Sequence, residues 1–479
     1  MDILQWCFPL SFEKGLLRSR MAPYLFEEET RPEQRDLDSL DATQDFFGVG
    51  LETPWRNSIS THPTSTKPSH LDQHEPPDKL DDTAFGLELK CLMPLLIPGE
   101  QDPEPDDPRP PTTASCPNDL EATRKQAYKA IASTIRQTGH SAATIDEIAL
   151  ANLQERDFWA SHWIVKKANS AEPTASQRSL KDYMWVSVEI SSPKLRATDE
   201  PNTYTVVKDV MDVLRAKHRL VSNYTCDIHV HIGRMDDRPF TLPTLKRLAM
   251  LLWMAEPVLR TIRDPKSPNY ENIYTWGAEL RRFSRLAGMV TTNGHPPQNS
   301  NNLPKPSPFS TLHLLNIPPI CTSTASEADI HALHTISASP TYQALGILLS
   351  GETKQYRRLG FNFSAFGEED ARARSNPRTV EFRIMEGTVR SELVVAWLRV
   401  CRALVEVAGD EGGDGGRLGS VVGRLLTEGG EGKGNSGGKG DGGGKGGSKA
   451  GGRFAALMAG LGLEEGLYRV LLDKVVREN

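Results

Sequence analysis

Cys226-Asp227-Ile228-His229-Val230-His231-Ile232 alternates polar and apolar residues with a period of two, the pattern of a β-strand with one apolar face. Residues two apart on a strand project to the same side, so His229 and His231 share a face and Ile228, Val230 and Ile232 take the other. Working outward, the same reading predicts strands at Phe85–Leu92, Trp185–Ile190, Arg358–Phe363 and Thr379–Met385. Three of these also carry strongly functional polar residues inside an apolar run: Glu88 and Lys90, Glu189 alone, and Glu381 with Arg383. Brought side by side, the strands line one sheet face with carboxylates, imidazoles and a guanidinium. The solvated face of an ordinary antiparallel sheet alternates too. Such faces favour mixtures of Thr, Lys and Ser, however, whereas His, Glu and Arg are the residues of metal ligation and phosphate contact. Neither His229-x-His231 nor Glu381-x-Arg383 is specific alone; the set, in this order, is.

Between the strands the period changes to that of helices. Asn118 is placed to cap a helix running to about Gln137, and Val206, Val207, Val210, Met211 and Leu214 trace an apolar stripe on the next. Thr241 precedes a helix over Leu242–Ile262 that Pro257 interrupts. Ser326, with Asp329 three residues on, opens a short helix, and Ser391 opens Glu392–Ala408, stopped by Gly409. Two further helical patterns, Leu418–Leu426 and Phe454–Val476, flank a tract in which residues 429–452 hold 14 glycines in 24 positions. No chain of that composition buries enough to offset its ordering entropy.

These readings divide the 479 residues into a disordered leader over 1–80, a folded unit over 81–408, a Gly-rich low-complexity linker or insertion over 409–452 and a C-terminal helix over 453–479. Within the folded unit, 98–117, with seven prolines, and 264–320 are read as surface loops. Lys+Arg 56 against Asp+Glu 62 leaves a net charge of −6. That excludes a protein working mainly by general attraction to nucleic acid and leaves open a local basic groove. The longest apolar runs, such as Leu248–Trp253, are far shorter than the about 18 residues of a membrane-spanning helix, and no membrane association is expected. Met1-Asp2-Ile3-Leu4 lacks the positive charge of a secretory signal. Six cysteines without a C-x-x-C pair fit a reducing compartment, and the expectation is a cytoplasmic protein.

Phe85-Gly86-Leu87-Glu88, Val188-Glu189-Ile190-Ser191-Ser192-Pro193, Cys226 to Gly233 and Thr379 to Thr388 together resemble, in order, the signature blocks of the amidoligases. These are carboxylate-amine ligases related to glutamine synthetase and glutamate-cysteine ligase. The resemblance covers roughly residues 83–408, and it also places the helix after Thr241 and Asn362 ahead of the last block. It implies an α+β fold, a curved and largely antiparallel sheet backed by helices, glutamine-synthetase-like, and an enzyme using ATP and magnesium. It further implies small-molecule carboxylate and amine substrates; protein partners are not indicated. The residue types suit that chemistry. A carboxylate is a poor electrophile at neutral pH, so a phosphoryl group from ATP activates it before the amine attacks. Such a site needs acidic ligands for magnesium and Arg for developing charge. By this resemblance Glu88, Glu189, His229 and Glu381 match metal-ligand positions. Arg383 matches the position that contacts phosphate or substrate and, with Glu381 and His231, forms the expected catalytic set. Lys90 joins Arg383 as a cofactor contact.

The chain departs from the family's pattern at several points. Lys90 stands where a second acid is usual, Asp227 where a glycine is, Met385 where a His is, and Arg390 where an acid is. Lys90 leaves three readings open: an ammonium that replaces part of one magnesium's charge, a degraded site, or a benign change. Two other functions therefore stand beside the ligase. One is a non-catalytic binding protein of the same fold; the other is a metal-dependent hydrolase built on His229 and His231, which would need a zinc-like site with an open water position.

Overall fold

Strand β1, Thr83–Leu96, is the axis of the sheet and runs past the expected Phe85–Leu92 at both ends. Its Pro94 lies beyond the last pair with β7, Leu89↔Ile228, where the missing N–H is not demanded on that side. The computed structural model describes residue 78 and residues 82–200, 202–270, 277–291, 326–351, 359–367, 378–410, 416–430 and 446–479, all in one compact unit. The expected leader over 1–80 therefore lies almost wholly outside the described residues, as do most of 264–320 and the middle of the glycine tract. Among the described residues no helix is long and apolar enough to cross a membrane.

The other strands are β2 Thr112–Thr113, β3 Ala142–Thr144, β4 Trp163–Lys166, β5 Tyr183–Ser191, β6 Leu195–Arg196, β7 Asp227–Arg234, β8 Phe361–Asn362 and β9 Val380–Glu386. They form one mixed, mostly antiparallel nine-stranded sheet of order β3-β4-β5-β1-β7-β9-β8, with β2 and β6 pairing the two ends of β1. The four strands with polar pairs are thus consecutive neighbours, β5-β1-β7-β9. The expected strand Arg358–Phe363 is only Phe361–Asn362, a short edge on β9.

One sheet face is apolar. Leu87, Leu89, Val188, Ile190, Ile228, Val230, Ile232 and Phe382 are buried there against helices α1 Leu120–Gln137, α2 Asn202–Lys217 and, further on in the chain, Ser391–Gly409. Asp119, not Asn118, caps α1: its Oδ1 accepts from the N–H groups of Glu121 and Ala122 at 3.0 Å. Helix α3, Leu242–Leu259, stops short of the expected Ile262 and tightens into a 3-10 turn over Arg260–Ile262. Pro257 cannot donate to the carbonyl of Trp253, and Arg281 Nη1 donates to that oxygen at 3.4 Å.

Next come α4 Glu327–Ala338, capped by Ser326, and α5 Ser391–Gly409. Ser391 lies inside α5, where its hydroxyl donates to Asp212 on α2 at 2.6 Å. The chain ends in α6 Gly416–Gly430, α7 Gly446–Gly460 and α8 Glu465–Glu478, packed on α3 and α5. The single helix expected over Phe454–Val476 is therefore two. Gly462 takes φ +65, and the N–H groups of Leu463 and Gly462 donate to the carbonyls of Met458 at 3.0 Å and Ala459 at 2.9 Å. Those two bonds are a Schellman stop, which a side chain at Gly462 would strain.

Candidate active site

The second face of the sheet carries the polar residues in three cross-strand rungs. Directly opposed residues of antiparallel strands share a face, so the register sorts them. The first rung runs Lys166 (β4), Glu189 (β5), Lys90 (β1), and, one step beyond Leu89↔Ile228 on the same ladder, Asp227 (β7), then Glu386 (β9). The second holds Ser191, Glu88 and His229, and the third Gly86, His231, Glu381 and Asn362. Between Phe382 and Met385 the β9 strand is bulged: Arg383 and Ile384 both stand against His229. The bulge explains how Glu381 and Glu386, five residues apart, face the same way. It is fixed by Arg383 N–H donating to the carbonyl of Gly360 at 2.7 Å.

Two rungs converge on a buried cluster. Glu88, His229 and His231 are wholly buried, and Lys90, Glu381 and Arg383 nearly so. His229 Nδ1 lies 3.0 Å from Glu88 Oε2 and 3.3 Å from Glu381 Oε1. His231 Nε2 stands 3.4 Å from Glu88 Oε1 and 3.6 Å from Glu381 Oε1, while its Nδ1 meets the Thr379 hydroxyl at 3.3 Å. Arg383 Nη1 donates to Glu381 Oε1, and Asn362 Nδ2 donates to Glu381 Oε2 at 2.8 Å. Lys90 Nζ is 3.4 Å from each ring nitrogen of His229. Glu189 stands apart, one rung away, 3.4 Å from Lys166 Nζ.

The charges follow from this packing. Burial pushes His229 down to about 3, with the Arg383 and Lys90 charges adding to it, so its ring is neutral near pH 7. Burial opposes the charge on His231 as well, but the Glu381 and Glu88 carboxylates outweigh it and raise that ring. Burial would also raise Glu88 and Glu381. The bond with His229 and the closeness of His231 hold Glu88 well below the carboxylate range, and the Arg383 and histidine charges lower Glu381. Glu189 is raised, by burial first and then by the Glu88 charge. Asp227 is raised to about 6 by burial, against the pull of Lys90, Arg263 and Arg383.

Several buried polar atoms on this face have no hydrogen-bond partner: both Glu189 carboxylate oxygens, Ser191 Oγ and His231 Nε2. Orphans of this kind are costly and mark places where a ligand, ion or water completes the bonding. One atom each from Glu88, His231 and Glu381 lie within 4.8 Å of one another, the only such group of metal-ligand residues among the described residues. Two carboxylates and an imidazole at that spacing fit a divalent cation, the oxygens suiting magnesium and the nitrogen manganese or zinc. Thr379 on Nδ1 would hold the His231 ring for it. His231 Nε2 faces both carboxylates, the place such a cation would take.

Of the residues singled out from the sequence, Glu88, Lys90, His229, His231, Glu381 and Arg383 come together, and Glu189 lies on the neighbouring rung. The sequence reading missed Lys166, because its strand Trp163–Lys166 is four residues long and too short to show a period. It also missed the support given to Glu386, where Lys474 of α8 sits 3.0 Å from Oε2 and Asp264 N–H donates to Oε1 at 3.1 Å.

Residues 119–282 match the family model described as "Putative amidoligase enzyme". The matched segment includes β5 and β7, hence Glu189, His229 and His231, and leaves β1 and β9 outside. No curated protein matches the chain. Among solved structures it is similar to a bifunctional glutathione synthetase from Pasteurella multocida, at 9% identity and a TM-score of 0.29, covering 83% of this chain and 47% of that one. The chain thus spans about half the length of that enzyme. Two of the four signature blocks lie inside the matched segment, so it is residues 119–282 that are similar to the amidoligases.

Proposed function

We propose that this protein is an ATP- and magnesium-dependent ligase that joins a carboxylate to an amine through an acyl phosphate. The observation that carries the reading is the convergence of Glu88, His231 and Glu381 on one buried sheet face with Arg383 bonded to Glu381, in a chain whose residues 119–282 match the amidoligase model. A carboxylate oxygen of the acid attacks the terminal phosphorus of ATP, and the bond to the bridging oxygen breaks to release ADP. The amine nitrogen then attacks the acyl carbon, phosphate leaves, and the nitrogen gives up a proton.

Glu88, His231 and Glu381 would hold a divalent ion, which when bound supplies charge neutralisation for the phosphate oxygens. Arg383, fixed by Glu381 and the β9 bulge, presents its guanidinium to the transferring phosphoryl group. Lys90 adds a second fixed cation beside His229. Glu189, whose oxygens accept no hydrogen bond, offers acceptors to the amine end of the reaction, next to Ser191. The substrates are small acids and amines, and the sheet face predicts no nucleic-acid role.

A specific observation also favours a second reading, a non-catalytic binding protein of the same fold. Lys90 and Arg383 already give the cluster two positive charges of its own, the service a metal would perform. Calorimetric titration of the full chain with a non-hydrolysable ATP analogue, with and without magnesium, separates the two. The ligase reading expects magnesium-dependent binding that Glu381→Gln removes, followed by ADP release with a suitable acid and amine pair. Absence of nucleotide binding by the folded wild type, together with a gain of magnesium affinity in Lys90→Glu, would establish the second reading instead.

A further inference from the structure

Glu256 lies inside α3 and is 1% exposed; a carboxylate so placed is destabilising unless its oxygens are bonded. Both are. Oε1 accepts from the N–H of Leu280 at 2.7 Å and Oε2 from that of Arg281 at 2.8 Å. Those donors open the short helix Leu280–Phe283, whose preceding residue, Glu279, makes no capping bond with its side chain. Glu256 therefore supplies the cap from a different element. An ordinary cap would do no more than that, and what sets this one apart is what the capped segment holds.

Just ahead of the capped turn, the carbonyl of Gly277 accepts from Arg260 Nη1 at 3.1 Å, a second tie to the end of α3. The carbonyl of Ala278 accepts from the N–H of Gly360 at 2.7 Å, and the carbonyl of Gly360 accepts from the N–H of Arg383 at 2.7 Å. Ala278 and Leu359 also form a parallel bridge. The stack has no slack. A Cβ on Gly277, which takes φ +111, would come within 2.9 Å of the Arg383 carbonyl oxygen, and one on Gly360 would run into Ile384 Cγ2. Two residues past Gly360, Asn362 Nδ2 donates to Glu381 Oε2 at 2.8 Å. Glu381 and Arg383 are thus both tied to residues 360–362, and those residues are tied through Ala278 to the segment that Glu256 caps.

We infer that Glu256 is a positioning residue: by holding 277–281 against α3 it fixes Gly360 and Asn362, and through them the β9 bulge that aims Glu381 and Arg383. Such a residue acts at a distance because a misplacement of about 1 Å at a reacting group can cost about a hundredfold in rate. The link to catalysis rests on the ligase reading; the setting of the bulge does not.

The test is amide hydrogen exchange of the full chain, resolved to single residues by mass spectrometry at pH 8, above the value of about 7 to which burial raises Glu256. Glu256→Gln keeps the shape of the side chain and turns an NH2 group towards one of the two backbone donors. The N–H groups of Gly360 and Arg383 should then exchange about tenfold or more faster than in wild type, one charged hydrogen bond having been lost. Amides of the β1–β5 ladder should change less than about threefold. If Glu256→Gln does not fold, Glu256→Asp, which keeps the charge but is one methylene shorter, carries the same expectation. Equal acceleration in both places would make Glu256 a general stabiliser, and no acceleration at Gly360 and Arg383 would make it a local cap; either overturns the proposal. Manganese affinity of the same variant, read by electron paramagnetic resonance of the free ion, should fall about tenfold with the loosened bulge. Unchanged affinity beside the faster exchange removes the link to the site. A wild type that binds neither manganese nor nucleotide, with exchange as expected, leaves the positioning role standing and removes the ligase reading.

Discussion

Glu381 is the residue whose removal tests the site most sharply, and the choice of substitution decides what is learned. Glu381 is 1% exposed, accepts from Arg383 and Asn362, and lies within 3.3 Å of His229. Alanine there takes the Glu381 carboxylate from the buried Arg383 guanidinium, and breaking a buried pair by removing one partner costs about 3–5 kcal/mol. That is a large part of the roughly 5–15 kcal/mol a folded domain has in total. Lost activity in Glu381→Ala would therefore be confounded with lost structure. The double variant Glu381→Gln/Arg383→Met removes both charges and keeps the volume, which at buried pairs is often neutral or stabilising. We expect urea denaturation to place Glu381→Ala about 3 kcal/mol or more below wild type, and the double variant within about 1.5 kcal/mol of it. Both should lose manganese binding, read by electron paramagnetic resonance of the free ion. If Glu381→Ala were as stable as wild type, the buried pair would not carry the energy assigned to it. A double variant that still bound manganese would remove Glu381 from the donor set.

Two further predictions concern the frame around the site. His218 is buried and lowered to about 4, mainly by burial, with its Nε2 against the Thr134 hydroxyl at 2.8 Å. The folded state keeps this ring neutral, so its contribution is fully present above about pH 6.5 and is lost as the pH falls from there towards 4, by roughly 3 kcal/mol in all. The stability difference between wild type and His218→Gln, measured in urea at pH 7 and pH 4.5, should shift against wild type at the lower pH; a constant difference would contradict the assignment. Arg219 reaches both oxygens of Asp102 at 2.7 and 2.8 Å, the Tyr183 hydroxyl at 2.8 Å and the carbonyl of Arg109 at 2.8 Å. Arg219→Ala should release the proline-rich loop 98–117 to limited proteolysis while the rest of the chain resists, and an unchanged cleavage pattern would show that the prolines alone hold it.

How much of this was legible in the sequence follows from the length over which each signal accumulates. The strands at Thr83–Leu96, Tyr183–Ser191, Asp227–Arg234 and Val380–Glu386 are long enough for a period of two to show. The residues of the face could therefore be named before any pairing was known. Ala142–Thr144 and Trp163–Lys166 are too short, and Lys166 went unseen with them. The break between α7 and α8 was hidden because Leu457, Leu461, Leu467 and Leu471 keep near-helical spacing across Gly462, and only the positive φ there reveals the stop.

Register was the harder loss. Alternation tells which side a residue faces and nothing about how far one strand has slid along the next. A slip of one rung is two residues, about 7 Å along a strand, whereas a cation's oxygen ligands lie only about 2.0–2.6 Å from it. Sequence alone could thus place Glu189 in the same ligand set as Glu88, although pairing sets Glu88 against Ser191 and His229 and sends Glu189 to Lys90 and Lys166. The same arithmetic exchanges the histidines. His229 and His231 are equivalent by alternation, but the ladder puts His231 opposite Glu381, and the bulge puts His229 under Arg383 and Lys90. One ring is thereby held neutral, while the two carboxylates raise the other against its burial. A cation bound to the face would compete with protons for the second ring and leave the first untouched. Manganese binding that weakens as the pH falls in wild type, and loses that pH dependence in His231→Asn but not in His229→Asn, is the consequence of that register.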